Sequence, residues 1–242
     1  MNHSRTTSKK AQYGLDAPQV VFRLFLAGLA CLALGGFSPR LGLRGWSLPF
    51  FCQGCVLLAM SGLMVWASRI GKLRLRDKIL QGIPWRGDER VLDVGCGHGL
   101  MLLGVARRLT SGRAIGIDVW SQEDQRSNSA DATLENARRE GIAERIEVLN
   151  GDARKIPFDA ASFDVVLSSF AIHNIYQPAQ REQAIHEIAR VLKPGGHLAI
   201  ADIRHIPEYE RVLRRLGWTE IARRGPNFLF VIPTRILHAV KP

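Results

Sequence analysis

Four short stretches of this chain hold residues whose types and spacing suit chemistry. Val91-Leu92-Asp93-Val94-Gly95-Cys96-Gly97-His98-Gly99-Leu100 joins an apolar strand to a loop with glycine at every second position. Glycine reaches φ > 0 and lets backbone N–H groups approach a ligand closely, so this is the build of a nucleotide-type cofactor cradle. Its spacing is G-x-G-x-G; a dinucleotide fold uses G-x-G-x-x-G, with the third glycine packing helix on strand. Ile115-Gly116-Ile117-Asp118 ends in a carboxylate able to accept bonds from both hydroxyls of a ribose. In Asn150-Gly151-Asp152-Ala153 an Asp side chain and the next backbone N–H could read an adenine edge. The fourth stretch, Phe163–Phe170, runs into Ala171-Ile172-His173-Asn174, with Tyr176 just beyond. Its imidazole can move a proton near neutral pH.

Taken singly, each stretch has a plainer explanation: a tight turn for the glycines, a helix N-cap for Asp118, a turn-former in Asp152. The elements between them decide how they are placed. Arg90–Val94, Arg113–Asp118, Arg145–Leu149, Phe163–Ser169 and His197–Asp202 read as strands. Leu100–Leu109, Ala130–Glu140, Ala179–Leu192 and Tyr209–Leu216 read as helices, the last three stopped in turn by Gly141, Pro194-Gly195-Gly196 and Gly217. Regular alternation argues an α/β, doubly wound, mainly parallel sheet. Ligands of such sheets bind beyond the carboxyl ends of the strands, where all four stretches lie. Trp218–Arg223 and Thr234–Val240 could close the sheet as a β pair, and Phe228–Ile232 is either part of that pair or an apolar flap.

In this order and spacing, VLDVGCGHG, IGID, GDARKIPF, SFDVVLSS and RVLKPGGHLAI resemble the class I S-adenosylmethionine-dependent methyltransferases, particularly the ubiquinone and menaquinone branch. The resemblance covers residues 88–242. It implies a seven-stranded Rossmann-like sheet of order 3-2-1-4-5-7-6, with the last-placed strand antiparallel, and S-adenosylmethionine as cofactor. It also implies that Gly95, Gly97 and Gly99 line the methionine part, that Asp93 orients the loop and the cofactor's amino group, that Asp118 holds the ribose and that Asp152 takes the adenine amine. Ala153 and Ser168 complete the candidate cofactor set. Trp120 is placed either to cover an adenine face or to pack on the sheet. Asp124, Gln125 and Asn128 fall in a loop longer and more polar than the family's. His173 is the candidate base, with Asn174 and Tyr176 positioning the acceptor. Asp202, at the end of the fifth strand, is given no role.

Two apolar runs precede this domain. Pro18–Phe37 carries only Arg23 among charged residues, and Leu48–Ala67 carries none. Each is 20 residues long, which as helix spans roughly 30 Å, the hydrocarbon thickness of a bilayer. The formal net charge of +11 is concentrated there, since residues 1–80 hold 11 Lys+Arg against 2 Asp+Glu. Basic residues flank the outer ends of the two runs, while the connection between them holds only Arg40 and Arg44. The positive-inside bias then puts both termini in the cytoplasm. The expected organisation is a basic cytoplasmic tail (1–17), a transmembrane helical hairpin (18–37 and 48–67), a basic interfacial helix or linker (68–87) and the α/β domain (88–242). A secretory leader in the first run fits poorly with a second span.

With the charge beside the bilayer and no interleaving of aromatic with basic residues in the α/β domain, no nucleic-acid partner is expected. Cys52-x-x-Cys55 stands alone in an apolar run, so zinc is not expected. The expected partners are the lipid bilayer and a small methyl acceptor, lipophilic or membrane-associated by preference. A soluble acceptor, an NAD-dependent oxidoreductase and an idle cofactor-binding membrane protein stand as alternatives, and the oligomeric state is open.

Overall fold

The computed structural model describes residue 11 and residues 13–121 and 128–242. Asp124 and Gln125 lie outside the described residues, as does most of the basic tail. The chain divides into two compact units.

The smaller unit, Gly14–Leu73 with Leu229–Val231, is a helical hairpin. Helix α1 spans Pro18–Phe37, the bounds that apolar length suggested, with Pro at its first position, and α2 spans Ser47–Trp66, one residue earlier than the run Leu48–Ala67. Small residues recur at every seventh position of α2, as Ser47, Gly54 and Ser61, opposite Val21, Gly28 and Gly35 of α1. That spacing keeps one seam facing the partner helix. A Cβ on Gly54 would lie 2.9 Å from the carbonyl oxygen of Gly28, so the backbones meet where neither helix has a side chain. Ser61 Oγ donates to Val21 O at 3.2 Å, and Ser38 and Ser47 hydroxyls share a 2.6 Å bond at the turn. At the other end Asp16 N donates to Ser68 Oγ at 3.1 Å, and Lys72 Nζ pairs with Asp16 Oδ2 at 3.2 Å.

The outward faces are apolar and exposed, including Phe22, Phe25, Leu26 and Leu29 on α1 and Leu48, Phe51, Val56 and Met60 on α2. Only 17% and 11% of the two apolar stretches are buried, the reverse of a soluble core helix. Both helices are long and apolar enough to cross a membrane. A π-helical turn, Ala67–Gly71, carries α2 directly into α3, Lys72–Leu80.

The larger unit runs from Arg74. In the basic segment after α2, Leu75, Ile79, Leu80 and Ile83 are buried at helical spacing, together with Arg76, while Arg74 and Lys78 are exposed. The sheet comprises β1 (Arg90–Val94), β2 (Arg113–Asp118), β3 (Ile146–Asn150), β4 (Phe163–Ser169), β5 (Leu192–Asp202), β6 (Ile221–Asn227) and β7 (Thr234–Val240). Its order is β3-β2-β1-β4-β5-β7-β6, as expected. β1 to β5 are parallel, and β7 enters antiparallel between β5 and β6, making the sheet mixed. Helices α4 (Leu100–Ala106) and α5 (Ala130–Glu140) pack on β1–β3; α6 (Pro178–Val191) and α7 (Ile206–Arg215) pack toward β5 and β7. Ser129 caps α5 by accepting from Ala132 N at 3.2 Å, and Gly141 closes it at φ 68°. Phe228–Ile232 belongs to neither strand of the β6–β7 pair; it is the turn between them.

Candidate functional site

Parallel register brings the four chemical stretches to one edge of the sheet. Val94 stands opposite both Ile117 and Ser168, and Asp118 opposite Asn150, so the strand ends form a continuous row. At the centre Gly95, Gly97 and Gly99 adopt φ of 76°, 49° and 83°, a region L side chains avoid. A Cβ on Gly95 would strike that of Ala171, and one on Gly99 would come within 2.8 Å of Leu103 and Thr133. The loop thus folds tightly because it has no side chains at these points.

Asp118 holds that loop in shape. Its Oδ2 accepts Gly97 N–H at 2.9 Å, and its Oδ1 accepts Trp120 N–H at 2.7 Å and the Asn128 amide at 3.2 Å. Asn128 is thus drawn to Asp118 and is 4% exposed. Trp120 has φ 58° and is half-buried beside Asp118. Two residues of α5 support the loop from the other side: Thr133 Oγ1 donates to Gly97 O, and Asn136 Nδ2 to His98 O at 3.1 Å. Neither was anticipated. The signal was available, since both are polar residues on the inward face of an amphipathic helix.

Asp93 is 1% exposed, and neither carboxylate oxygen has a partner in good hydrogen-bond geometry. Burial, only partly offset by the nearby Leu102 N–H and reinforced by Asp118, pushes its pKa up to about 7. A buried carboxylate without a partner is costly, and a cationic group brought near it removes that cost. A glycine cradle, an unpartnered buried carboxylate and a second acid at the next strand end fit the amino-acid and ribose parts of S-adenosylmethionine.

Asp152 is bound by its own neighbour. Arg154 donates Nε to both carboxylate oxygens at 2.9 and 3.0 Å, as well as its backbone N–H at 2.8 Å, and holds the group below the usual carboxylate range. Arg154 Nη2 also donates to Oδ2, so four contacts take up the roughly four lone-pair sites of the carboxylate, and a further donor has to share or displace one of them. Ala153 packs against the core. Ser168 gives its hydroxyl to Val94 O at 2.9 Å and is 1% exposed; it stitches β1 to β4 and offers no free group to a ligand.

Beyond β4, His173 sits 16% exposed with Nδ1 2.6 Å from Asp202 Oδ1, the ring N–H lying off the line of that contact. Asp202 Oδ2 accepts His173 N–H and the Tyr209 hydroxyl, each at 3.2 Å, and Oδ1 accepts Ile203 N–H at 2.8 Å. Asp202, which the sequence left without a role, is the anchor of this corner. Its cue is a charged residue ending a strand that is otherwise apolar, Leu198–Ala201. Arg181 provides a second anchor, donating to the carbonyls of Ile175 at 2.9 Å and Tyr176 at 3.0 Å while pairing with Glu208. Asn174 makes one long contact, 3.5 Å to Phe170 O. The Tyr176 side chain is 87% exposed and is not gathered with His173, because Arg181 fixes its carbonyl and leaves its ring in solvent.

With this geometry in place, the comparisons with known proteins become specific. Residues 92–200, which include β1 to β5 almost entirely, match the family model of the methyltransferase domain. Over that stretch the chain is similar to methyltransferase domains. Among curated relatives, a 27-O-demethylrifamycin SV methyltransferase of Amycolatopsis mediterranei is 31% identical over 55% of this chain and 46% of its own length. A fatty-acid O-methyltransferase of Mycolicibacterium smegmatis is 34% identical over 58% and 47%. A demethylmenaquinone methyltransferase of Lactobacillus johnsonii is 28% identical over 63% and 58%. The chain spans about half the length of the curated relatives it matches. Of solved structures, phosphoethanolamine N-methyltransferase 2 of Haemonchus contortus with S-adenosyl-L-methionine superposes with a TM-score of 0.58 at 19% identity, over 70% of this chain and 52% of that one. The cyclase SpnF gives 0.57 at 23% identity, over 70% and 80%. A cyclase on the same scaffold shows that the methyltransferase fold by itself does not fix the reaction.

Proposed function

We propose that this protein is an S-adenosylmethionine-dependent methyltransferase, carried on a two-span membrane hairpin with its catalytic domain and both termini in the cytoplasm, that methylates a lipophilic or membrane-associated small molecule. The observation that carries the reaction is the row of strand ends. It sets a glycine cradle with an unpartnered acid, Asp93, at the end of β1, next to a His–carboxylate pair supplied by the ends of the next two strands, β4 and β5.

S-adenosylmethionine, when bound, supplies an electrophilic methyl group on a sulfonium. The chain's own part is alignment, exclusion of water and removal of a proton from the acceptor. Asp93 and the glycine loop would receive the amino-acid part, Asp118 the ribose and Asp152 the adenine amine. His173, with Nδ1 against Asp202, has Nε2 left to take the acceptor's proton; Asp202 then faces the imidazolium that forms. Trp120 and Asn174 border the same edge, Trp120 on the cofactor side and Asn174 on the acceptor side.

For the location, the outward faces of α1 and α2 expose apolar residues along their length. Trp46 and Trp66 mark the two ends of α2, where interfacial tryptophans sit in membrane helices. Before α1, Tyr13 donates its hydroxyl to Glu140 Oε1 at 2.8 Å, and Lys72 Nζ reaches Gly14 O at 2.7 Å. Such bonds support a reading in which the segments on either side of the hairpin share one face of the bilayer. Relatives whose names carry a fatty acid and a demethylmenaquinone favour a lipophilic acceptor.

The decisive test incubates detergent-solubilised protein with radiolabelled methyl donor and separate membrane and aqueous extracts. Label in extracted lipid supports the reading; label in the aqueous fraction alone moves the acceptor to a soluble molecule. Titration calorimetry with S-adenosylmethionine and NAD separates methyl transfer from hydride transfer.

A further inference from the structure

The turn between β6 and β7 carries five consecutive apolar residues, Phe228, Leu229, Phe230, Val231 and Ile232, followed by Pro233. Hairpin tips are ordinarily built from Gly, Asn, Asp, Pro and Ser, which satisfy their own backbone groups and face water. Here Phe228 is 62% exposed and Ile232 46%. The three residues between them are partly buried, so the exposed apolar surface lies at the two ends of the run, and large apolar side chains left in water there favour an apolar environment. Val231 adds a second anomaly. It is β-branched yet holds φ 68°, a conformation that persists only where the surroundings impose it.

The surroundings are known for the middle of the turn. Leu229–Val231 cluster with the α1–α2 hairpin. The Leu229 carbonyl lies so close to Gly71 that no Cβ could be accommodated there, with Trp66 adjoining. Gly71 ends the π turn that follows α2, so this part of the tip sits where the second apolar helix gives way to the basic segment. Exposed Arg223 and Arg224 precede the tip, and exposed Arg235 follows it. An apolar point between cationic shoulders matches the layering of an anionic membrane surface, with acyl chains beneath and phosphates above.

We infer that the β6–β7 tip is a membrane wedge: Phe228 and Ile232 enter the acyl boundary of a bilayer containing anionic lipid, giving the catalytic domain its own attachment to the surface. This rests on the reading of α1 and α2 as spans. A span passes through the bilayer whatever its headgroups, whereas a wedge held by arginines depends on them, and that difference makes the two separable.

The test places single cysteines in a C31A/C52A/C55A background, where the remaining Cys96 is buried. Phe228→Cys, Ile232→Cys, Leu29→Cys on the outer face of α1 and Glu144→Cys on the exposed turn before β3 are each labelled with an environment-sensitive fluorophore. The proteins are reconstituted into phosphatidylcholine–phosphatidylglycerol vesicles whose lipids carry nitroxide quenchers at shallow and deep acyl positions. Labels at 29, 228 and 232 are expected to be quenched several-fold more than the label at 144. In phosphatidylcholine alone, quenching at 228 and 232 falls while that at 29 stays. If 228 and 232 behave like 144 while 29 is quenched, the wedge is overturned and the spans stand. An unquenched label at 29 overturns both.

Discussion

Asp202 Oδ1 lies 2.6 Å from His173 Nδ1, joining the end of β5 to the loop after β4. The same carboxylate accepts the His173 backbone N–H, so ring and chain are held by one group that is itself 1% exposed. Asp202→Asn keeps the size and removes the charge facing the imidazolium. It is expected to lower kcat by roughly 10²–10⁴-fold with little change in KM for the methyl donor. His173→Ala should cost a similar factor and erase the limb of the pH–rate profile that reports the base. The double variant should be no worse than either single one, because the two act as a unit. Additive losses would place Asp202 outside the proton transfer.

Asp93 links pH to both stability and binding. Its pKa near 7 in the fold stands above the ordinary 3.8, so between those values the native state holds a proton that the unfolded chain has lost. Its stabilising contribution is present at low pH and disappears as pH rises through about 7. Without ligand, the protein should melt at a lower temperature at pH about 8 than at about 6, and Asp93→Asn should flatten that slope. A cationic amino group arriving at Asp93 draws the proton off. Calorimetry of S-adenosylmethionine binding at pH about 6, in buffers of different ionisation enthalpy, should therefore register proton release that Asp93→Asn lacks.

Gly95 faces Ala171, two residues before His173, closely enough that an added Cβ must displace it. Gly95→Ala should therefore lower cofactor affinity and kcat together, each by about tenfold or more, since φ 76° and the clash act on both loops. Gly141→Ala is the control. Its φ is 68° but the space around it is open, so about 1 kcal/mol of stability is lost with activity intact.

Arg181 fastens the loop after His173 while pairing with Glu208, at side-chain exposures of 6% and 21%. Arg181→Leu leaves two carbonyls and a carboxylate without their donor. Urea denaturation should show a loss of about 2–3 kcal/mol, discounted from a fully buried pair because Glu208 touches solvent. Glu208→Gln, which keeps a hydrogen-bonding partner, should cost less.

Within the hairpin, Gly54→Leu should separate α1 from α2, since the new side chain meets Gly28 O and Leu32. A loss of about 1–3 kcal/mol would appear as a lower melting temperature in detergent. Gly62→Leu, with nothing near it, should leave that temperature unchanged.

Much of this was legible in the residues. Two apolar runs of 20 residues fall on α1 and α2, and the period of apolar residues together with Gly and Pro stops marks most of the sheet's strands and helices. The glycine spacing and the acids at 93, 118 and 152 lie on the row of strand ends that the order of blocks required. Such features are local: burial period, turn chemistry and loop geometry are written in neighbouring residues. Tertiary structure decided the rest. His173 and Asp202 are 29 positions apart and meet because β4 and β5 run parallel with Ser169 opposite Ala201. Thr133 and Asn136 reach the glycine loop only because α5 packs beside it, and Tyr176 leaves the site because Arg181 holds its carbonyl. Phe228–Ile232 has the composition of a strand and the position of a turn. Polar partnership depends on register and packing between distant segments, and no single stretch of sequence carries that information.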